Sequence, residues 1–320
     1  MPDKNYPRIG IVLSSGGVRG VYAHTGFLLT IENLGLPISA LAGCSAGALV
    51  GGFMASGTPL QRWATTLESL RPEDFWAPDS LWRFIWRMAV HQGRGYSGLS
   101  SNDTALRFCR QHLSTSDFDG CRYPFSTLAI NLGSGEKTVF TQGELAPRMV
   151  ASASVPVLYE PMEIDGAYYC DGALVEFAPT DAICCRHHLD VVIVHHVSQH
   201  FEKCDDIKQL LQRPWSMLEI VNRLLFRQRP WYLSDEQLTL QRCPCGCGAL
   251  ILAVEPSLPQ LHWPLTEGGL QALVDTRRQT EDLLRPYQVA LQNDPRGQLP
   301  QQAGICDHES VSEDCYQGRR

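Results

Sequence analysis

The stretch Leu41-Ala-Gly-Cys-Ser-Ala-Gly47 decides the fold of this chain. It joins an apolar segment of strand length, Ile38 to Ala42, to a run from Ala48 to Ala55 that is typical of a buried helix. A serine in a sharp turn between a strand and a helix projects its hydroxyl toward a substrate, and flanking glycines let the two elements cross closely. The pattern predicts that Ser45 is a nucleophile, although a glycine-rich turn whose serine has no catalytic role fits the same sequence.

A second glycine-rich loop lies upstream of this turn. Arg8 to Leu13 is predicted to be a strand, Ser14 to Gly20 a loop, and Val21 to Leu34 a helix. A loop that opens a helix presents unpaired backbone N–H groups, which can bind a phosphate or the oxyanion of an acyl-transfer intermediate. The spacing matches neither a P-loop nor a dinucleotide fingerprint. We therefore predict an oxyanion loop that serves Ser45.

Composition excludes several classes of function. The chain has 320 residues, is 44% hydrophobic and carries a net charge of −7, so nothing suggests nucleic-acid binding. The N-terminus lacks the apolar segment of a signal peptide, which predicts a cytoplasmic protein. The uncharged run between Glu32 and Arg62 is long enough for a membrane span, but Pro37 and the glycines at 43, 47, 51, 52 and 57 favour a buried strand and helix.

The twelve cysteines favour a reducing compartment and free thiols. Most lie in apolar runs, where cysteine acts as a small hydrophobic residue. The exception is Cys243-Pro-Cys-Gly-Cys247, whose three thiols could chelate a soft metal. A structural zinc site needs a fourth ligand, and no second cysteine pair with zinc spacing is present. We therefore predict no metal and no cofactor, with these cysteines in a loop at the solvent edge.

Strands and helices alternate along the rest of the chain, which predicts an α/β fold with a mostly parallel central sheet covered on both faces. Asp165-Gly166 predicts a tight hairpin turn. Further helices are predicted over 179–188, 205–229 and 267–292. The polar segment 293–320 is expected to be a disordered tail, which leaves one domain over 1–292.

The segment Phe75 to Trp86 combines aromatic residues with arginine in a helix-like pattern. Tryptophan and arginine together suit a lipid interface, so this helix could form the wall of an acyl pocket or rest on a membrane surface. A peripheral helix packed on the core fits the same pattern. Both readings stay open on the sequence alone.

An unactivated serine needs a base within hydrogen-bond reach, and two solutions compete. A triad on an α/β-hydrolase sheet would use one of the histidines, His187, His188, His195 or His196. A dyad would use an aspartate at the carboxyl edge of a strand, where open sheets place their sites. Asp171 meets that condition, whereas Asp165 lies in the hairpin turn about 20 Å along the strand.

Four motifs occur in order: 16–20 (Gly-Gly-Val-Arg-Gly), 43–47 (Gly-Cys-Ser-Ala-Gly), 151–156 (Ala-Ser-Ala-Ser-Val-Pro) and 171–173 (Asp-Gly-Ala). In this the chain resembles the patatin-like phospholipase family, in its compact bacterial-type form, over about residues 8 to 197. The last motif departs from the Asp-Gly-Gly of many relatives, and the cysteine cluster has no counterpart that we can name.

The resemblance implies a three-layer α/β/α fold and a Ser–Asp dyad without a catalytic histidine. Ser45 would be the nucleophile and Asp171 the base, and the remaining site residues would support them. These are the oxyanion-hole residues Gly16, Gly17 and Val18, with positive charge from Arg19, and the motif-flanking glycines Gly43, Gly47 and Gly172.

The implied function is hydrolysis of lipid acyl esters, of phospholipase or lysophospholipase type, with at most a transient peripheral contact with a membrane. The alternatives are a catalytically silent lipid-binding regulator on the same fold and a histidine-dependent α/β-hydrolase. An ordinary aspartate, with a pKa near 3.9, is a weak base. The dyad therefore requires a partly apolar pocket around Asp171 and an oxyanion hole.

Overall fold

The glycine-flanked turn at Ser45 forms the predicted strand–turn–helix. A computed structural model describes residues 6–92, 94–198, 230–258 and 266–305 of the chain. Its first elements are β1 (Ile9–Leu13), α1 (Gly17–Asn33), β2 (Ile38–Cys44) and α2 (Ala46–Ala55). The loop and helix that the first glycine cluster predicts are thus also present.

The remaining elements follow in chain order. They are α3 (Leu60–Glu68), α4 (Leu81–His91), β3 (Gly98–Ser100), α5 (Asp103–His112), β4 (Phe125–Asn131), β5 (Lys137–Phe140), α6 (Leu145–Ala153), β6 (Val157–Tyr159), β7 (Met162–Ile164), β8 (Ala167–Asp171), β9 (Val191–His195), β10 (Leu238–Arg242), β11 (Leu250–Val254), α7 (Gly269–Leu284), α8 (Gln288–Asn293) and α9 (Pro295–Ala303).

Five parallel strands form the centre of the sheet, in the order β11-β9-β1-β2-β4. The antiparallel strand β10 pairs with β11 at one side, and β5, β8 and β7 complete the other side. Strands β3 and β6 form a separate parallel pair. The mostly parallel central sheet with flanking helices confirms the α/β fold class.

One edge of β4 carries two different strands. Leu128 of β4 pairs with Cys44 of β2 and with Val139 of β5, so β2 and β5 lie on opposite edges. Ala129 pairs with Asp171 of β8 and also with β5, so β8 and β5 lie on opposite edges as well. Strands β2 and β8 therefore lie one after the other along the same edge of β4. Their C-terminal residues, Cys44 and Asp171, are adjacent there.

The sheet buries a hydrophobic cluster on each face, because successive side chains of a strand point to opposite sides. Ile9, Ile11 and Leu13 of β1 pack with the buried side chains of α1, α2, α3, α5, α6 and the three C-terminal helices. Val12 points to the opposite face. That face is covered by residues between 178 and 189 and by Tyr232 and Leu233.

Three helix predictions need correction or stay open. Residues 179–188 contain only a short 3₁₀ turn at Thr180–Ala182, and this run of cysteine, histidine, isoleucine and threonine has low helix propensity. The helix expected over 267–292 is interrupted by a 3₁₀ turn at Arg285–Tyr287, where Pro286 lacks the N–H that a continuous helix needs. The helix predicted over 205–229 lies outside the described residues.

The first part of the expected disordered tail is also corrected. Residues 295–303 form helix α9, in which Asp294 caps Gly297 and the side chain of Leu299 is fully buried. Tertiary contacts such as this buried leucine stabilise a short helix that its polar sequence alone would not hold. Residues 306–320 lie outside the described part of the chain, and the domain boundary at 292 stays a prediction.

None of the helices in the described ranges is long and apolar enough to cross a membrane.

Candidate active site

Ser45 occupies the tight turn between β2 and α2. Its backbone has φ 54° and ψ −118°, a conformation that residues other than glycine adopt only under strain. A Cβ atom at Gly43 would lie 2.3 Å from the carbonyl oxygen of Gly47, and one at Gly47 would lie 2.2 Å from that of Leu13. These glycines therefore allow the strand and helix to approach closely enough to hold the serine in its strained conformation.

Asp171 ends β8 directly beside this turn. Its Oδ2 accepts a hydrogen bond of 2.7 Å from Ser45 Oγ, and its Oδ1 accepts one of 2.8 Å from the backbone N–H of Ala173. A Cβ atom at Gly172 would lie 2.4 Å from the carbonyl oxygen of Leu128, so only glycine lets the chain bend back to supply that N–H. The structure thus brings the two residues of the expected dyad into direct contact.

The surroundings of Asp171 change its basicity. The side chain is 1% exposed, and burial raises its pKa to about 7, because a carboxylate loses the solvation that favours its charge. The hydrogen bonds from Ser45 and Ala173 act in the opposite direction but are weaker than this effect. The carboxylate is therefore a stronger base than an ordinary aspartate and can accept a proton near neutral pH.

The first glycine loop opens α1 next to Ser45. The first hydrogen bond inside the helix runs from Gly20 N–H to Gly16 O, so the N–H groups of Gly17 and Val18 precede it and have no acceptor within the helix. Gly17 has φ 57° and is exposed. This loop is therefore a group of backbone donors that can face an anion.

The helices α1 and α2 begin side by side. A Cβ atom at Gly20 would lie 2.9 Å from Cβ of Ala46, the first residue of α2. The positive ends of two helix dipoles therefore meet at the edge of the sheet where Ser45 lies. This arrangement favours negative charge beside the serine hydroxyl.

Arg19 directs its guanidinium to the segment that follows β9. The group donates a short hydrogen bond to the carbonyl oxygen of Ser198, and burial lowers the pKa of this arginine from its usual range. Its positive charge is thus held close to α1 by the segment that follows β9. The expected role of Arg19 at the oxyanion hole stays a prediction.

Sequence reasoning gave no individual role to two serines that support the dyad. Ser152 Oγ accepts the backbone N–H of Ser45 at 2.9 Å, and the carbonyl oxygen of Ser154 accepts the N–H of Asp171 at 3.0 Å. Ser154 Oγ in turn donates to Asn102 at 3.1 Å. Both serines lie in the 151–156 motif, which is the sequence feature that could have identified them.

The candidate histidines have other partners or lie at the wrong edge. His195 Nδ1 is 2.7 Å from His24 Nδ1, and His196 Nδ1 is 3.0 Å from the Tyr232 hydroxyl. His187 and His188 precede β9 and lie toward the amino ends of the parallel strands, whereas Ser45 follows the carboxyl end of β2. The group bonded to Ser45 Oγ is the Asp171 carboxylate.

Five cysteines meet at the amino edge of the sheet. Cys184 and Cys185 lie beside the turn that contains Cys243, Cys245 and Cys247. The sequence did not pair them because about 60 residues separate the two groups. The fourth thiol whose absence argued against a metal site is thus supplied by a distant segment.

Comparison with known protein families identifies the family of this chain. The family described as "Patatin-like phospholipase" matches residues 11–183, which is more than half of the chain. The matched region includes the first glycine-rich loop, the turn at Ser45, and Asp171. The chain belongs to the patatin-like phospholipase family. The recognition made from the four motifs is therefore confirmed.

Curated relatives within this family share part of the chain. An uncharacterized NTE family protein of Mycobacterium tuberculosis is 29% identical over 175 residues, covering 54% of this chain and 44% of that protein. Lysophospholipase NTE1 of Cryptococcus neoformans is 27% identical over 188 residues, which is 58% of this chain and 11% of that protein. The chain thus spans less than half the length of these relatives.

Among solved structures, the chain is similar to human GIVD cytosolic phospholipase A2. The TM-score is 0.47 at 13% sequence identity, and the match covers 92% of this chain and 60% of that one.

Proposed function

We propose that this member of the family is a serine hydrolase of lipid acyl esters that works through a dyad of Ser45 and Asp171. The observation that carries the proposal is the 2.7 Å hydrogen bond from Ser45 Oγ to the buried Asp171 carboxylate. A serine hydroxyl bonded to a base, in a strained turn at the start of a helix, is the arrangement that nucleophilic catalysis needs.

In the first step Asp171 Oδ2 takes the proton of Ser45 Oγ while that oxygen attacks the ester carbonyl. The carbonyl oxygen becomes negatively charged in the tetrahedral intermediate. The N–H groups of Gly17 and Val18, together with Gly16, would donate hydrogen bonds to it, and the converging helix dipoles would stabilise the same charge. Arg19 would add positive charge nearby.

In the second step the tetrahedral intermediate collapses and the ester C–O bond breaks. The proton on Asp171 passes to the departing alcohol oxygen, which leaves an acyl group on Ser45. Water then attacks this acyl-enzyme, with Asp171 again as the base, and releases the fatty acid and the free serine. One carboxyl group with a pKa near 7 can serve as base and acid in turn.

The substrate class rests on family membership and on the relative described as a lysophospholipase. We assign the activity as phospholipase or lysophospholipase type, in a cytoplasmic protein that meets membranes only transiently. Because the chain spans less than half of its curated relatives, this assignment concerns the shared region, which contains all the residues of the site.

Fluorophosphonate labelling tests the dyad most directly. A fluorophosphonate probe should label the protein stoichiometrically at Ser45, and Ser45→Ala should abolish the labelling. Asp171→Asn should slow the labelling and the hydrolysis of p-nitrophenyl esters by more than about a hundredfold, because the base is lost.

Two results would contradict this assignment. A folded protein that is not labelled would contradict an activated Ser45 and favour the catalytically silent alternative. Equal loss of activity in a folded His195→Ala or His196→Ala variant would instead indicate a histidine-dependent hydrolase.

A further inference from the structure

The cysteine cluster lies far from the dyad. Cys184 and Cys185 precede β9, and Cys247 precedes β11, so the cluster is at the amino ends of these parallel strands. Ser45 follows the carboxyl end of β2 in the same sheet. A five-residue strand is about 17 Å long, so the cluster and the dyad occupy opposite edges.

The sulfur atoms of this cluster are close enough to surround one ion. The Sγ atoms of Cys184, Cys185, Cys245 and Cys247 all lie within 4.8 Å of one another. Cys184 Sγ is 3.5 Å from Cys185 Sγ and 3.7 Å from Cys245 Sγ, and Cys185 Sγ is 3.0 Å from Cys245 Sγ. Four thiolates at the usual zinc–sulfur distance of about 2.3 Å form a tetrahedron whose edges are about 3.8 Å long, which these separations approach.

The turn between β10 and β11 is built to present its cysteines together. Cys243 N–H donates to Ala249 O at 2.9 Å and closes the turn. Gly246 and Gly248 flank Cys247 with φ of 73° and 78°, left-handed positions that glycine adopts without strain. The chain can therefore reverse direction sharply enough to place two thiols against those of Cys184 and Cys185.

We propose that Cys184, Cys185, Cys245 and Cys247 bind one zinc ion as a structural site. Four cysteine ligands in a closed tetrahedron are the usual donor set of structural zinc. A disulfide would join only two thiols and gives no reason for four sulfur atoms to share one small volume. The ion would cross-link the segment after Asp171 to the β10–β11 turn, and both contribute residues to the hydrophobic cluster on one face of the sheet.

The fifth thiol and the surroundings fit this assignment. Cys243 Sγ lies 3.0 Å from Cys245 Sγ but outside the group of four mutually close thiols. A cavity of about 580 Å³ is lined by three of the proposed ligands together with Arg8 and Arg296, and not by Ser45 or Asp171. It gives an ion access from solvent, and its charged lining also includes Asp294 and Asp190, the partner of Arg296.

Metal analysis of the full chain, purified without an affinity tag under reducing conditions, tests the proposal. After zinc chloride is added and excess metal is removed, mass spectrometry of elements should find about one zinc per chain. Cobalt in place of zinc should give thiolate-to-metal charge-transfer absorption and the intense visible bands of tetrahedral coordination.

Single substitutions identify the ligands. Cys245→Ser and Cys247→Ser should each weaken zinc binding by more than about tenfold and remove the zinc-dependent rise in melting temperature. Cys121→Ser is the matched control, because Cys121 is also a partly exposed free cysteine but lies outside the cluster. It should bind zinc like the unchanged protein.

Three results would overturn the proposal. The first is a reduced, folded protein that takes up neither zinc nor cobalt. This test uses the unchanged protein and does not depend on the folding of any variant. The second is unchanged binding in both folded cysteine variants. The third is a disulfide between Cys185 and Cys245, found by peptide mass spectrometry in protein kept reduced throughout.

Discussion

At the scale of single residues, the buried carboxyl group of Asp171 sets the pH at which the proposed chemistry operates. The base must be ionised to take the Ser45 proton, and burial raises its pKa to about 7. With a water-soluble ester, kcat/KM should therefore fall about tenfold for each pH unit below 7 and reach a plateau above about pH 8. A pH–rate profile measures this. A profile that stays flat down to pH 5 would contradict the assignment of Asp171 as the base.

The same burial makes Asp171 costly for stability. The carboxyl has a pKa of about 7 when folded and about 3.9 when unfolded, so between these values the folded state keeps a proton that the unfolded state releases. The contribution of Asp171 to the free energy of unfolding should therefore fall as pH rises from 4 to 7, by about 4 kcal/mol in total, and stay constant above that range. The buried His24, whose pKa is lowered to about 3, contributes in the opposite direction below pH 6.5, so the contribution of Asp171 is measured as the difference between the unchanged protein and Asp171→Asn.

Asp171→Asn removes this titration while an amide can still bond to Ser45 and Ala173. At pH 8 the melting temperature of Asp171→Asn should exceed that of the unchanged protein, and at pH 5 the difference should shrink. Ser45→Ala is the control, because it abolishes activity but leaves the buried carboxyl group in place. A lower melting temperature for Asp171→Asn at pH 8 would show that the carboxylate makes net stabilising contacts.

At the scale of elements, helix α4 exposes the apolar face that its sequence placed either on the core or on a lipid surface. Trp82, Ile85 and Trp86 are 79%, 44% and 59% exposed. They lie three and four positions apart and therefore share one side of the helix. Packing of these tryptophans on the core is thus not their role, and contact with lipid stays a prediction.

Replacing both tryptophans by alanine tests that prediction. Trp82→Ala with Trp86→Ala should weaken binding to phospholipid vesicles at least about tenfold, because two large aromatic groups no longer enter the interface. Hydrolysis of a short soluble ester should change by no more than a few-fold. Val274→Ala, an exposed apolar position on α7, is the control and should bind vesicles normally. Unchanged vesicle binding in the double variant would exclude this face as the lipid contact.

Local patterns made much of the fold predictable. Asp165 and Gly166 have φ of 52° and 78°, the left-handed pair that a two-residue hairpin needs, and the sequence marks them directly. The glycines at 43 and 47 likewise indicate positions where the neighbouring backbone leaves no room for a Cβ atom. The contact of Cys185 with Cys245 depends on pairing between distant segments, so no local pattern contains it. The 151–156 motif marks Ser152 but not its hydrogen bond to Ser45, which also joins distant segments.

At the scale of the whole molecule, helix α9 ties the end of the described chain to its beginning. Arg296 pairs with Asp190 at 3.0 Å, and the same carboxylate accepts the backbone N–H of Arg8 at 2.8 Å. Leu299 is fully buried in the core cluster of β1. Composition alone made this segment look like a tail, because a single buried leucine carries little weight among polar residues.

Leu299→Ala should lower the free energy of unfolding by about 2–5 kcal/mol, since it leaves a cavity in the core. Gln301→Ala, an exposed position on the same helix, should change it by less than about 0.5 kcal/mol. Chemical denaturation of the two variants makes the comparison. Equal stability would mean that α9 does not pack on the core in solution.

The shared edge of β4 has a mechanical consequence. Cys44, which precedes Ser45, and Asp171 pair with neighbouring residues of β4, so any displacement of that strand moves Ser45 and Asp171 together. Loosening of the outer helices should leave their separation unchanged, whereas detachment of β8 separates them at once. Serine reactivity toward a fluorophosphonate can therefore be used as a gauge of sheet integrity. During slow heating, labelling should persist through early changes in tryptophan fluorescence and disappear only when the β-sheet signal in circular dichroism is lost.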